Sequence, residues 1–227
     1  VDLAALHLGA TGFSVYNTLS PEQIQHLLVN SGARVVVTER QFLPRVLEAR
    51  TAEVEHVVVV DAAEHGLLTL DDVARSHVRG FDFEAAWRAV EPDDVAALIY
   101  TSGTTGPSKG AQLTHANAMF EARALAAVLP IAPGGRLISY LPSAHVGDRA
   151  LSHFAASICF GQTLVSLPDL RQVAAALVEV RPTLFGAVPR VWEKLTAGLE
   201  AAGLRAPAEL PEAGKARMEK WMGEPDP

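Results

Sequence analysis

Between Tyr100 and His115 the chain reads YTSGTTGPSKGAQLTH. Thr101, Ser102, Thr104 and Thr105 surround Gly103 and Gly106, and Lys109 follows with Gly110 just beyond it. These are the groups a polyphosphate takes from a protein. Glycine lets successive backbone N–H groups turn toward one anion, hydroxyls add neutral donors, and a lysine adds a point charge. Two other glycine patterns are excluded. A Walker-type loop needs G-x-x-x-x-G-K-S/T directly ahead of a helix, whereas Gly103 and Gly106 are three residues apart and Lys109 is followed by glycine. The dinucleotide pattern G-x-G-x-x-G is missing as well. The residues fit a hydroxyl-rich loop that folds over the β and γ phosphates of a nucleotide. A Gly/Ser/Thr turn without a ligand has the same composition, and composition does not choose between them.

A loop of this kind needs a strand to deliver it and a helix to leave by. The apolar run 95–100 (VAALIY) reads as the strand, and Thr114 caps a helix from 115 to about 129. Upstream, residues 3–8 end a helix closed by Gly9 and Gly12, and residues 13–16 form a short strand. Ser20-Pro21-Glu22-Gln23 is a helix start, with a Ser cap, Pro in the first turn and Gln three residues on; Ile24, Leu27 and Leu28 supply its apolar face. Continuous apolar strands at 34–38 and 56–61, separated by a helix over 41–50, predict a parallel sheet covered on both faces. Thr69-x-x-Asp72 caps a short helix, and 81–90 forms another. Pro130 and Pro133-Gly134-Gly135 mark a lobe boundary, after which the alternation restarts. Strands at 137–141, 163–167 and 183–188 alternate with helices over 146–160 and from Asp169-x-x-Gln172 onward. Val191, Trp192, Leu195 and Leu199 mark a last amphipathic helix, with Trp192 expected in the core. The expected class is α/β, two lobes of mostly parallel sheet flanked by helices. Residues 1–130 form the first lobe, ending in the loop and its following helix. Residues 136–200 form a partial second lobe, and 201–227 a poorly patterned tail.

The chain has 227 residues, 49% of them apolar, which is enough for a substantial core. Its 19 basic residues against 26 acidic ones, a net charge of −7, and the absence of a basic block exclude nucleic acid as a partner. Cys159, in the run SICF, is the single cysteine and cannot form an internal disulfide. It reads as a buried, inert thiol in a reducing, cytoplasmic setting. No apolar run approaches the ~18–20 residues of a membrane span. The opening VDLAALHLGA has no signal-peptide pattern and begins in mid-pattern without Met, so the chain is expected to be a piece of a longer protein.

In its order of residues, TSGTTGPSKG after an apolar strand resembles the phosphate-binding signature of the adenylate-forming (AMP-binding) superfamily, which includes acyl-CoA synthetases, luciferases and peptide-synthetase adenylation domains. The usual pattern there is T-S-G-T-T-G-x-P-K-G; here Pro107-Ser108 stands where x-Pro is usual, so the proline has moved one place forward. Three further segments resemble long-chain fatty acid–CoA ligases. They are GATGFSVYNTLSPEQIQHLLVNSGARVVVTE before the loop, LISYLPSAHVGDR after it, and GAVPRVWEKL near the end.

The resemblance implies the large N-terminal domain of the adenylate-forming fold, of which this chain is a central fragment. It also implies a reaction in which a fatty acid carboxylate attacks the α phosphate of ATP and coenzyme A then displaces AMP. By resemblance Thr101, Ser102, Gly103, Thr104, Thr105, Gly106 and Lys109 bind the β and γ phosphates, and Thr101 also contacts Mg²⁺. His145 falls beside the acyl carboxylate, and His115 orients the chain after the loop. Asp148 and Arg149 read either as a functional pair or as a solvated helix start. The partners implied are fatty acid, ATP and coenzyme A, with no nucleic acid; a fatty acid substrate allows peripheral membrane association. The family's Y-G-x-T/S-E and T-G-D motifs and its C-terminal domain have no counterpart in 1–227, so the isolated chain is expected not to turn over. Two other readings stay open: a non-catalytic remnant binding at most nucleotide or a partner, and an acyl-AMP ligase that loads a carrier protein.

Overall fold

A capping box starts the helix on which the first half of the fold is built. Ser20 Oγ accepts from the Gln23 N–H (3.4 Å) while Gln23 Oε1 accepts from the Ser20 N–H (3.0 Å), with Pro21 in the first turn. The computed structural model describes residues 1–76, 78–101, 106–129, 131 and 133–201. The chain divides into two compact units. One is Val1–Asn117 with Pro142–Val146, and the other is Ala118–Leu141 with the chain from Gly147 onward.

In the first unit the helices are α1 (Asp2–His7), α2 (Pro21–Ser31), α3 (Leu43–Ala49), α4 (Leu70–Arg75) and α5 (Phe83–Arg88), and α6 (His115–Val128) starts there. Its strands are β1 (Gly12–Phe13), β2 (Val35–Thr38), β3 (His56–Val59), β4 (Leu68–Thr69), β5 (Val95–Thr101) and β6 (Lys109–Thr114). β2, β3 and β4 form one wholly parallel sheet. In the other, β5 lies between β1, its parallel neighbour, and β6, its antiparallel neighbour. Ile24 and Leu28 of α2 and Leu43, Val46 and Ala49 of α3 are buried against Val57 and Val59 of β3. Each large side chain so buried contributes roughly 1.5–3 kcal/mol.

Several expectations change here. The sheet is covered unevenly: the central strand β3 is buried on both faces at Val57, Val58 and Val59, but on the edge strand β2 only Val36 faces the core, and Val35 and Val37 are 53% and 38% exposed on the other side. Continuous valines therefore reflect β propensity as much as burial. Gly12, expected to close α1, lies in β1, and the strand expected at 13–16 is reduced to Gly12–Phe13. Residues 109–114, to which the sequence pattern assigns no strand, pair with β5 as β6. The helix caps expected at Thr69 and Thr114 are present, with Thr114 and Asn117 exchanging reciprocal hydrogen bonds of 3.1 Å, and Asp82, not singled out in the sequence, caps α5.

In the second unit, β7 (Arg136–Ser139) runs parallel to β8 (Thr163–Ser166), and α7 (Val173–Val180) and α8 (Pro189–Ala201) follow. Ile138, Tyr140, Val173, Ala176 and Val191 form its core. The strand expected at 183–188 is reduced to a single bridge from Leu184 to Leu137. The helix expected over 146–160 is Asp148–Cys159, wound with the wider π-type spacing in which the Phe160 N–H reaches Ala155 O (3.0 Å). Trp192 is 46% exposed and meets Phe185 edge-on at 5.4 Å, so it is not the core residue expected. Val191 holds the buried position, and the next residue on a helix points ~100° away.

Candidate functional site

β5 is buried for most of its length and opens to solvent only at Thr101. β6 returns antiparallel beside it, in a register that sets Thr101 opposite Lys109 and Tyr100 opposite Gly110. Thr101 and Lys109 are therefore neighbours at the loop end of a hairpin, both exposed. The Lys109 ammonium makes no ion pair with a carboxylate among the described residues. Gly106, in the segment that joins the strands, has φ +99°, and among the described residues no atom beyond its chain neighbours lies within 4 Å of where a Cβ would stand. The constraint there is backbone conformation and not space. Ser102, Gly103, Thr104 and Thr105 lie outside the described residues.

The stems of the hairpin are tied to α2. The Tyr100 hydroxyl donates to Asn30 Oδ1 (2.8 Å) and lies 3.4 Å from Leu27 O. Its ring meets Phe13 edge-on at 5.3 Å and covers Gly110, where a Cβ would fall 3.1 Å from the ring carbon Cζ. Burial raises the Tyr100 phenol above its ordinary pKa, which keeps it a donor. On the returning stem, His26 Nε2 lies 3.0 Å from Ser108 O. Since a carbonyl oxygen only accepts, Nε2 carries the proton.

Sequence reasoning did not single out His26 and Asn30. They stand four residues apart beside the apolar stripe of α2, which marks them as a polar pair on one flank. No local pattern points from there to a residue 82 positions away.

His145 is half-buried on the 142–146 segment, which belongs to the same unit as the hairpin; its N–H donates to Pro142 O (2.8 Å). His115 donates its backbone N–H to Asp94 O (3.1 Å) at the start of α6. In the second unit Asp148 and Arg149 are only 5% and 4% exposed, so the solvated reading of this pair fails. Ser139 Oγ donates to Asp148 Oδ1 at 2.7 Å, fixing the carboxylate beside β7. Cys159 is half-buried, 3.7 Å from Met119 Sδ, and burial pushes its thiol pKa up, as an unreactive cysteine requires. Among the described residues no group of three or more His, Cys, Asp or Glu is placed to hold a metal ion, and no helix is long and apolar enough to cross a membrane.

A hydroxyl and an unpaired ammonium side by side, on a hairpin whose linker contains a positive-φ glycine, fit an anionic oxygen cluster. Residues 1–224 match the family model described as AMP-binding enzyme, and the chain belongs to that family. A Mycobacterium tuberculosis protein provisionally named fatty-acid–CoA ligase fadD11 is 50% identical over 146 residues, covering 64% of this chain and 25% of the relative. The long-chain-fatty-acid–CoA ligase FadD15 of Mycobacterium bovis is 34% identical over 202 residues, covering 86% of this chain and 33% of the relative. The chain thus spans a quarter to a third of the length of these relatives. Among solved structures, a natural red-emitting luciferase from Phrixothrix hirtus superposes with a TM-score of 0.72 at 16% identity, over 98% of this chain and 46% of that one. At that identity the likeness speaks for the fold alone, the α/β architecture of adenylate-forming enzymes.

Proposed function

We propose that this chain carries the phosphate-binding wall of the adenylation site of a long-chain fatty acid–CoA ligase. The observation that carries the reading is the Thr101–Lys109 pair at the loop end of the β5–β6 hairpin, with Gly106 at positive φ in the linker. The names of the relatives, fatty-acid–CoA ligases, support the substrate class. In this reading Thr101, Ser102, Thr104 and Thr105 offer hydroxyls, Gly103 and Gly106 turn backbone amides toward the β and γ phosphates, and Lys109 supplies the positive charge.

A fatty acid carboxylate oxygen attacks the α phosphorus of ATP, the bond to the pyrophosphate oxygen breaks, and acyl-AMP and pyrophosphate form. The coenzyme A sulfur then attacks the acyl carbon, AMP leaves with the bonding electron pair, and the thiol proton passes to solvent. Charge accumulates on the departing pyrophosphate, so donors fixed in advance around it lower the barrier to the first step. The Thr101 hydroxyl would help to hold Mg²⁺, which would supply positive charge against the phosphates. His145 lies beside the carboxylate and orients it.

The test is fatty-acid-dependent exchange of labelled pyrophosphate into ATP. The full-length protein that contains this chain is expected to exchange label with palmitate and Mg²⁺, and residues 1–227 alone are expected not to. No exchange by the full-length protein with any long-chain acid overturns the ligase reading. Exchange by the isolated chain overturns its inactivity.

A further inference from the structure

Thr101 and Lys109 form the last rung of the β5–β6 ladder, where residues 102–108 join the two strands, and an end rung opens more readily than the rungs within a ladder. Here each stem is held one residue short of the phosphate candidate. Tyr100, next to Thr101, reaches Asn30 through its hydroxyl (2.8 Å), and Ser108, next to Lys109, reaches His26 through its carbonyl (3.0 Å). His26 and Asn30 are four residues apart on α2, about 6 Å along a helix. Paired strands run about 4.8 Å apart. One turn of α2 therefore spans both strands of the hairpin.

We propose that His26 and Asn30 are positioning residues that hold the two stems of the 101–109 hairpin and thereby set its affinity for the triphosphate of a nucleotide. The proposal rests on the reading of that hairpin as a phosphate site. His26 acts through its Nε2–H, present in both the imidazolium and one neutral tautomer, and it fixes the backbone carbonyl of Ser108, so the adjoining Lys109 leaves the helix-anchored stem in one direction. Asn30 acts through the Tyr100 hydroxyl, while the Tyr100 ring, pressed on Gly110, couples the same anchor to the returning strand. A cut hydrogen bond on either stem lets the end of the hairpin splay, and part of the binding free energy is then spent on restoring it.

The experiment compares His26→Leu, His26→Gln, Asn30→Ala and Lys109→Ala in the full-length protein. Calorimetric titration with ATP and with inorganic tripolyphosphate is read beside KM and kcat in pyrophosphate exchange and the thermal midpoint. His26→Leu is expected to weaken both ligands roughly three- to ten-fold, the scale of one hydrogen bond, with KM for ATP rising in step. Values of kcat and of KM for the fatty acid should stay within about two-fold, since the bond acts on phosphate binding. His26→Gln, whose amide N–H can replace the donor, is expected to recover most of the loss. Asn30→Ala should move affinity in the same direction by at least about two-fold, the Leu27 carbonyl at 3.4 Å keeping part of the anchor.

Normal affinity in His26→Leu, with Lys109→Ala weakened, overturns the positioning role and leaves the phosphate reading standing. Glutamine failing as badly as leucine, with both thermal midpoints depressed, reduces His26 to a structural residue and also overturns it. Unchanged affinity in Lys109→Ala overturns the phosphate reading, and the proposal falls with it. Should His26→Leu not fold, Asn30→Ala, at an exposed position, decides alone, and wild-type affinity there counts against the proposal.

Discussion

In the proposed phosphate site Lys109 and Gly106 would serve the same anion by different physics, and their substitution should separate the two. Lys109 is exposed and unpaired among the described residues, so its removal costs the fold nothing and the site a charge-assisted hydrogen bond. Lys109→Ala is expected to reduce kcat/KM for ATP by roughly 1.5–3 kcal/mol with an unchanged thermal midpoint, read by pyrophosphate exchange beside a melting curve. Gly106 has a φ of +99°, and among the described residues nothing beyond its chain neighbours crowds a Cβ there, so it is the backbone that resists alanine. Gly106 is exposed, so that strain is expected to act locally and not on the core. Gly106→Ala should therefore cost ATP use about 1–3 kcal/mol and leave the melting curve in place. A lowered melting point with normal ATP kinetics would show that Gly106 shapes the fold and not the site.

α2 joins the core to the hairpin: Ile24, Leu27 and Leu28 are buried inward while His26 and Asn30 reach the two stems. Its capping box makes it sensitive at one residue. Ser20→Ala is expected to lower unfolding free energy by about 1 kcal/mol, read by urea titration, and to raise KM for ATP with it because the stems hang on the same helix. A stability loss with unaltered KM would mean that the helix end and the hairpin are independent. Helices such as α2 were legible because their signals are local: Ser20, Gln23 and the Ile24, Leu27, Leu28 spacing lie within one short window. β6 was not, since KGAQLT offers only Ala111 and Leu113 as an alternating apolar pair, with no β-branched residue before Thr114, and becomes a strand by pairing with β5. Val35 and Val37 read as buried because a valine run does not reveal which of its two faces meets the core. In the candidate site, Thr101, Gly106 and Lys109 were found from residue order, whereas His26 and Asn30 depend on contacts between distant parts of the chain.

At the scale of the whole molecule, each compact unit has its own core, and each core holds one tyrosine at its edge. Tyr100 is 8% exposed and donates to Asn30 Oδ1; Tyr140 is 9% exposed and donates to Gly186 O at 3.1 Å. Burial raises both phenols above their ordinary pKa. The unfolded chain then gives up these protons at lower pH than the fold does, so above about 10 the native state binds more protons and stability falls with pH. The contribution of the neutral phenols is whole below about 10 and is lost as pH climbs through the raised folded values. Absorbance at the tyrosinate band should therefore show two phenols ionising late in the folded protein, together with or just before alkaline unfolding. Since burial also pushes the Cys159 thiol upward, the tyrosines have to be isolated by substitution. Tyr100→Phe and Tyr140→Phe should each remove one late phenol and flatten part of the alkaline loss of stability. Of the two, only Tyr100→Phe should also raise KM for ATP at neutral pH, since only its hydroxyl anchors the hairpin. If both variants leave the alkaline profile of the wild type intact, the loss of stability at high pH belongs to other groups and the buried phenols are not its cause.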